Sequence, residues 1–121
     1  MRILLLIGVG SFVGGVARYL LSQWITSTIN STFPFSTLLV NFIGCFVIGL
    51  VYGVGEKAQL PLELRLFFMA GICGGFTTFS AFGLETVNLL TSGQNLYALV
   101  YTVASLALGV AATFAGIWLS R

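Results

Sequence analysis

The chain alternates long apolar stretches with short polar ones. Four stretches stand out: Ile3 to Trp24, Phe35 to Gly55, Leu66 to Leu90 and Leu96 to Leu119. Bilayer hydrocarbon is about 30 Å thick, so a helix crosses it with roughly 20 mostly apolar residues. Each stretch is long enough, which predicts four transmembrane helices in a single all-α membrane domain. The polar stretches between them are "ITSTINSTFP", "EKAQLPLELR" and "TSGQN", read as the connections. Pro34 and Pro61 fall in or beside the first two connections, where a missing N–H does little harm. Arg2 and the apolar run after it resemble the start of a signal peptide. The run continues through Trp24, carries Arg18 and has no small-residue cleavage site, so it reads as a retained span.

Composition agrees with lipid as the solvent. Hydrophobic residues make up 58% of the chain and charged ones 7%, against about a quarter charged in soluble domains. The net charge of +2 is too small to suggest a nucleic-acid partner. The sequence has no histidine, which removes imidazole catalysis and histidine metal sites. Cys45 and Cys73 lie in different spans without CxxC spacing and read as small apolar packing residues.

An even number of spans places both termini on one side. Arg2, Lys57, Arg65 and Arg121 lie on that side, and only Arg18 leans to the other. Taken alone, the positive-inside rule makes the termini cytoplasmic. Glycines recur at helical-face spacing: Gly10 with Gly14, Gly49 with Gly53, and Gly71 with Gly75. Such pairs let helix backbones approach closely, and helix packing is the plain reading of them. Four helices hardly enclose a wet path alone, so an oligomer is expected. Trp24, Trp118, Tyr19 and Tyr52 suit interfacial belts.

Polar residues within the spans carry the candidate chemistry. A charge in lipid costs at least about 3 kcal/mol, so Arg18 and Glu85 should face protein or water. Arg18 can snorkel from one end of its span, or it can form a mouth that attracts anions. Glu85 can satisfy backbone or hydroxyl groups of the third span, or carry protons. Asn41 can bond a neighbouring helix, or offer its two N–H donors to an ion without a full charge. The third span contains "GGFTTFSAF", Gly74 to Phe82. Two glycines and the β-branched pair Thr77–Thr78 weaken a helix there. A broken ladder in lipid must present its freed carbonyls to protein, water or a cation. Phe79 and Phe82 share a helical face, either for packing or to offer positive ring edges to an anion.

With "GVGSFVGGVARYLL", "FSTLLVNFIGCFVIG", "GICGGFTTFSAFGLET" and a small-residue fourth span holding Tyr101 and Ser105, the chain resembles the Fluc (CrcB) fluoride channels of microbial membranes along nearly its whole length. The resemblance implies an antiparallel, dual-topology homodimer with two fluoride pathways along the subunit interface. It implies a structural sodium ion at the centre, carried by position to the carbonyls of Gly74 and Thr77, with Gly75 and Thr78 as possible alternatives. It places Asn41, Phe79, Phe82, Ser80, Thr37, Tyr101 and Ser105 along the fluoride pathway and Arg18 at the aqueous entrance. The implied role is passive export of fluoride across the cytoplasmic membrane. Dual topology calls for a near-even spread of Lys and Arg, yet four lie opposite one. Either Glu56 and Glu63 blunt that bias, or the subunit prefers one orientation and pairs with an oppositely inserted partner. A small proton-coupled drug exporter is the alternative, but its first span should carry an acid, and here it carries Arg18.

Overall fold

The computed structural model describes residues 1–121. It is all helix: α1 (Arg2–Thr28), α2 (Phe35–Ala58), α3 (Leu62–Leu66), a π-helical stretch (Phe67–Cys73), α4 (Gly74–Phe76), α5 (Phe79–Thr91) and α6 (Asn95–Ser120). Four segments are long and apolar enough to cross a membrane, with Leu62–Thr91 as the third. The helices outrun the predicted spans at almost every end. Ser27 and Thr28 were expected in the first connection, but their hydroxyls donate to the Trp24 carbonyl at 2.8 and 2.9 Å. The helix thus continues into polar sequence.

The second connection also differs from expectation. "EKAQLPLELR" is mostly helical, and only Gln59 to Pro61 separates α2 from α3. Gln59 ends α2 in the left-handed conformation, φ 53°, as helix C-terminal caps do. Arg65 then reaches back, donating to the Leu60 carbonyl at 3.0 Å and the Gly55 carbonyl at 2.9 Å. The Gly55 carbonyl near the end of α2 and the Leu60 carbonyl just beyond it thus face a cation, which the helix dipole also favours there. Arg2 pairs with Glu63 at 2.9 Å and Arg65 lies 3.9 Å from Glu56, so two of the four cations on this side sit beside acids.

The glycine pairs do what their spacing implies. α1 lies mainly against the π stretch and α4, and α2 mainly against α6. A Cβ on Gly10 would meet the Gly71 Cα at 2.9 Å, and one on Gly71 would meet the Gly10 Cα at 3.1 Å. A Cβ on Gly14 would run into the Ile72 carbonyl, and one on Gly49 or Gly116 into the backbone of the other's helix. These are backbone-to-backbone contacts, which any side chain would prop apart.

The third span changes partners at its break. Its first half rests on α1, while α5 lies chiefly on α6. Only 16 of the 121 residues are buried, so the chain spends little apolar surface on its own core and leaves most of it facing outward.

Gly14→Leu is expected to prevent α1 from seating, because the obstacle is an oxygen of the main chain and cannot rotate away. Overpacking of this kind costs about 1–3 kcal/mol or more. Gly8, whose Cβ would meet nothing within 4 Å, should tolerate leucine. Thermal unfolding of the two purified variants should show a lower midpoint for Gly14→Leu and an unchanged one for Gly8→Leu.

Candidate functional site

The helix breaks at Thr77–Thr78, and the glycines beside them stay helical. Gly74 has φ −62°, ψ −38°, whereas Thr77 has φ −84°, ψ 156° and Thr78 φ −148°, ψ 118°. The sequence reading of the glycines as part of the unwound segment is therefore corrected. A Cβ on Gly75 would lie 2.9 Å from the Ser11 Cα, so Gly75 is needed for close approach to α1. The π-helical turn just before was not foreseen. It ends with the Gly74 N–H donating to both the Gly71 and Met69 carbonyls.

The break is held by α2. The Thr78 N–H, which in a continuous helix would donate to the Gly74 carbonyl, donates instead to Asn41 Oδ1 at 2.8 Å. Asn41 Nδ2 donates back to the Thr78 carbonyl at 3.0 Å. This two-bond clasp replaces a strand-like pairing with one side chain. It uses one N–H of the amide and leaves the second. Thr78 also starts the next helix, because its Oγ1 accepts from the Ala81 N–H at 3.2 Å, a standard N-cap role. On the other side of the break the last ladder bond runs from the Thr77 N–H to the Cys73 carbonyl at 3.0 Å. The Gly75 carbonyl accepts from Arg18 Nε at 3.2 Å. Arg18 is thus neither a free snorkel nor a free mouth; it is bonded to the break from α1.

A cavity of about 320 Å³ opens beside this segment. Asn41, Gly74, Thr77, Phe79, Phe82 and Ser105 all line it, so six of the ten predicted site residues converge there from α2, the third span and α6. The Phe79 and Phe82 ring centroids are 5.6 Å apart. Phe79 is 84% exposed, so its ring points outward from the helix bundle.

Thr37 and Tyr101 form a second layer. The Tyr101 hydroxyl donates to Glu85 Oε1 and the Thr37 hydroxyl to Glu85 Oε2, each at 3.0 Å. Glu85 therefore takes the hydroxyl-satisfying role of the two open to it. Tyr101 is fully buried and packs against Phe82 with the rings tilted by 44° and centroids 5.1 Å apart. Beyond this layer lies a second cavity of about 480 Å³, lined by Glu85, Ser36, Asn88, Ser92 and Gln94 among others. Ser80 lies outside both cavities and is exposed, its hydroxyl 3.3 Å from Thr78 Oγ1. Arg18 lines neither cavity.

Sequence reasoning missed Phe33. Its ring sits edge-on to Tyr97 and Tyr101, with centroids 5.6 and 5.7 Å away, and continues the aromatic series from Phe82 to the second cavity. An aromatic residue directly before Pro34 was the available signal.

Comparison with known proteins gives one consistent result. The family model described as CrcB-like protein, Camphor Resistance (CrcB), matches residues 5–117. A Rhizobium etli protein named fluoride-specific ion channel FluC is 43% identical over 118 residues, covering 97% of this chain and 94% of that protein. Proteins of the same name from Chlorobium chlorochromatii and Flavobacterium psychrophilum are 44% and 39% identical, covering 98% and 100% of this chain and 92% and 98% of their own lengths.

Removing the clasp should cost more than removing the cap. Asn41→Leu leaves the Thr78 N–H and carbonyl unpaired inside the bundle, at about 1–3 kcal/mol for each buried group left unsatisfied. Thr78→Val loses only the cap hydroxyl, about 1 kcal/mol, and keeps both backbone bonds. Thermal melting of the purified variants should rank wild type above Thr78→Val above Asn41→Leu.

Proposed function

The chain belongs to the CrcB-like family, and on that premise we propose that it is a fluoride-selective channel that lets the ion leave the cytoplasm passively. The observation that carries this reading is the clasped break. A helix is interrupted at membrane depth, and amide, hydroxyl and aromatic groups from three spans surround the gap. The chain is a multi-pass membrane protein, and the bacterial cytoplasmic membrane is the proposed location.

The residues suit the ion. Fluoride is small and tightly hydrated, so a path must replace its water with close, hard donors and still release it. Asn41, which keeps one N–H free of the clasp, and Ser105 both line the first cavity. The edges of Phe79 and Phe82 carry positive quadrupole. The Tyr101 and Thr37 hydroxyls already donate to Glu85, so an arriving fluoride exchanges one acceptor for another. Each donor then gains only a difference in bond strength, which keeps binding weak enough for exit. The only lysine, Lys57, lies at the end of α2, so no ammonium traps the anion in the path. Packed aromatic walls disfavour the larger chloride.

A functional dimer is the second element of the proposal. Phe79 is exposed on the single subunit, and so are Leu106 and Phe114 on α6, which supports a partner copy closing two pathways along this face. The donor set also fits a sodium ion shared at the centre. The Gly74 carbonyl has lost the Thr78 N–H to Asn41, and the Thr77 carbonyl receives no hydrogen bond, whereas the Gly75 and Thr78 carbonyls are engaged by Arg18 and Asn41. That contrast favours Gly74 and Thr77 as the residues that would hold it. The ion would supply positive charge that offsets electrostatic resistance to an anion.

Purified protein in liposomes tests this reading. Fluoride efflux that dissipates an electrical gradient, with chloride retained, is the expected result; exchange of drug cations for protons would replace the channel with an exporter. Asn41→Asp keeps an acceptor for the Thr78 N–H but removes the N–H donors and adds negative charge. It should lower fluoride flux at least tenfold while the protein still elutes as the wild-type assembly, and undiminished flux would take Asn41 out of the path. Exchange of Na⁺ for a large organic cation during purification should weaken dimer stability or flux if Gly74 and Thr77 hold sodium.

A further inference from the structure

Three of the four sulfur-bearing side chains of the protein border a single cavity. The sequence holds two cysteines and two methionines, and Cys45, Cys73 and Met69 all line the 320 Å³ cavity beside the break. Cys45 comes from α2, and Met69 and Cys73 from the π-helical stretch. Both thiols are free. Cys73 is 3% exposed, and Cys45 is half-buried with its Sγ turned toward α6, 3.5 Å from where a Cβ on Gly109 would sit. Packing accounts for any one of these sulfurs, but not for their convergence from two helices on a cavity that also contains polar groups.

We propose that Cys45, Cys73 and Met69 form a binding site for a soft monovalent cation of the copper(I) and silver(I) class. Thiolate and thioether donors select such ions over hard cations, which prefer oxygen. When the metal binds, the Cys45 Sγ–H bond breaks, its proton leaves to water and a metal–thiolate bond forms. The Cys73 thiol and the Met69 thioether remain neutral donors, and no oxidation state changes. One monovalent cation replaces one proton, so the net charge of the cavity stays the same, which suits a site lined mostly by apolar side chains. Hard and soft cations would then sort within one cavity by donor type, at the Gly74 and Thr77 carbonyls or at the sulfurs. A metal bound there shares the space lined by Asn41, Phe79 and Phe82 and obstructs it; this consequence rests on the reading of that cavity as the fluoride path.

The binding test does not depend on transport. Whole protein in chloride-free detergent solution is titrated with silver nitrate and followed by native mass spectrometry. One Ag⁺ per chain is expected, with affinity at least tenfold lower in Cys45→Ala and in Cys73→Ala, and a smaller loss in Met69→Leu. Absence of an adduct on the wild type, or one undiminished in either cysteine variant, overturns the site. In liposomes Ag⁺ should slow wild-type fluoride efflux and leave Cys45→Ala unaffected. Silver that binds through both cysteines without slowing efflux would sink the obstruction and the placement of the path, and leave the metal site standing. A wild type without fluoride efflux in metal-free buffer would instead sink the channel reading, on which the binding result does not bear.

Discussion

No backbone polar group can go unanswered at membrane depth. Water is absent there, and each orphan N–H or C=O costs several kcal/mol. An uninterrupted helix meets this demand within itself, and the third span does so until Thr77. From that residue the answers must come from elsewhere, and α1 and α2 each give one. Asn41 of α2 bonds both backbone groups of Thr78. Arg18 of α1 takes the Gly75 carbonyl. The Thr78 hydroxyl opens the next helix. A break supported from two other helices has a fixed position, and so has whatever chemistry is built on it.

The glycines serve that support indirectly. Gly10, Gly14, Gly71 and Gly75 bring α1 against the first half of the third span at backbone contact, and that approach puts Arg18 within reach of Gly75. Gly44 does the same for α2, because a Cβ there would run into the Thr77 side chain; only so small a residue lets Asn41, one turn away, reach Thr78. Loss of packing and loss of the clasp are therefore expected to be coupled and not additive. The change of partner at the break, from α1 to α6, gathers groups from α2, the third span and α6 around one cavity.

Span number, the close glycine faces and the neighbourhood of the break were legible in the sequence because each is a local pattern: run length, spacing of four, and clustered weak helix formers. The site residues on different spans were legible only through resemblance, since nothing in the spacing of Asn41, Phe79 and Ser105 says that they meet. Where local reasoning failed, it failed over competing roles of one residue type. Gly74 and Gly75 look like helix breakers, yet in lipid glycine is as often a packing device, and here both remain helical while the threonines open. Glu56 and Lys57 look like loop residues by polarity, but a helix can run out of the hydrocarbon into water without ending. Phe33 was hidden because loop residues carry no periodicity, so its docking on Tyr101 is a purely tertiary fact.

The two ends exposed by the break have opposite character, and on the proposed reading this makes one segment useful to ions of both signs. The first half of the span ends in carbonyls, the negative pole of a helix, while α5 begins with N–H groups at its positive pole. A cation is drawn to one and an anion to the other, a few residues apart, and a buried charge of either sign lowers the cost of holding its opposite nearby. Glu85 extends the same balance one layer further. It forms no ion pair and accepts only from two hydroxyls, which the proposed path would use as its donors. An anion path built from shared donors and opposed dipoles never offers a deep well, and shallow wells in series are what permit throughput in a pore that must also strip water from its ion.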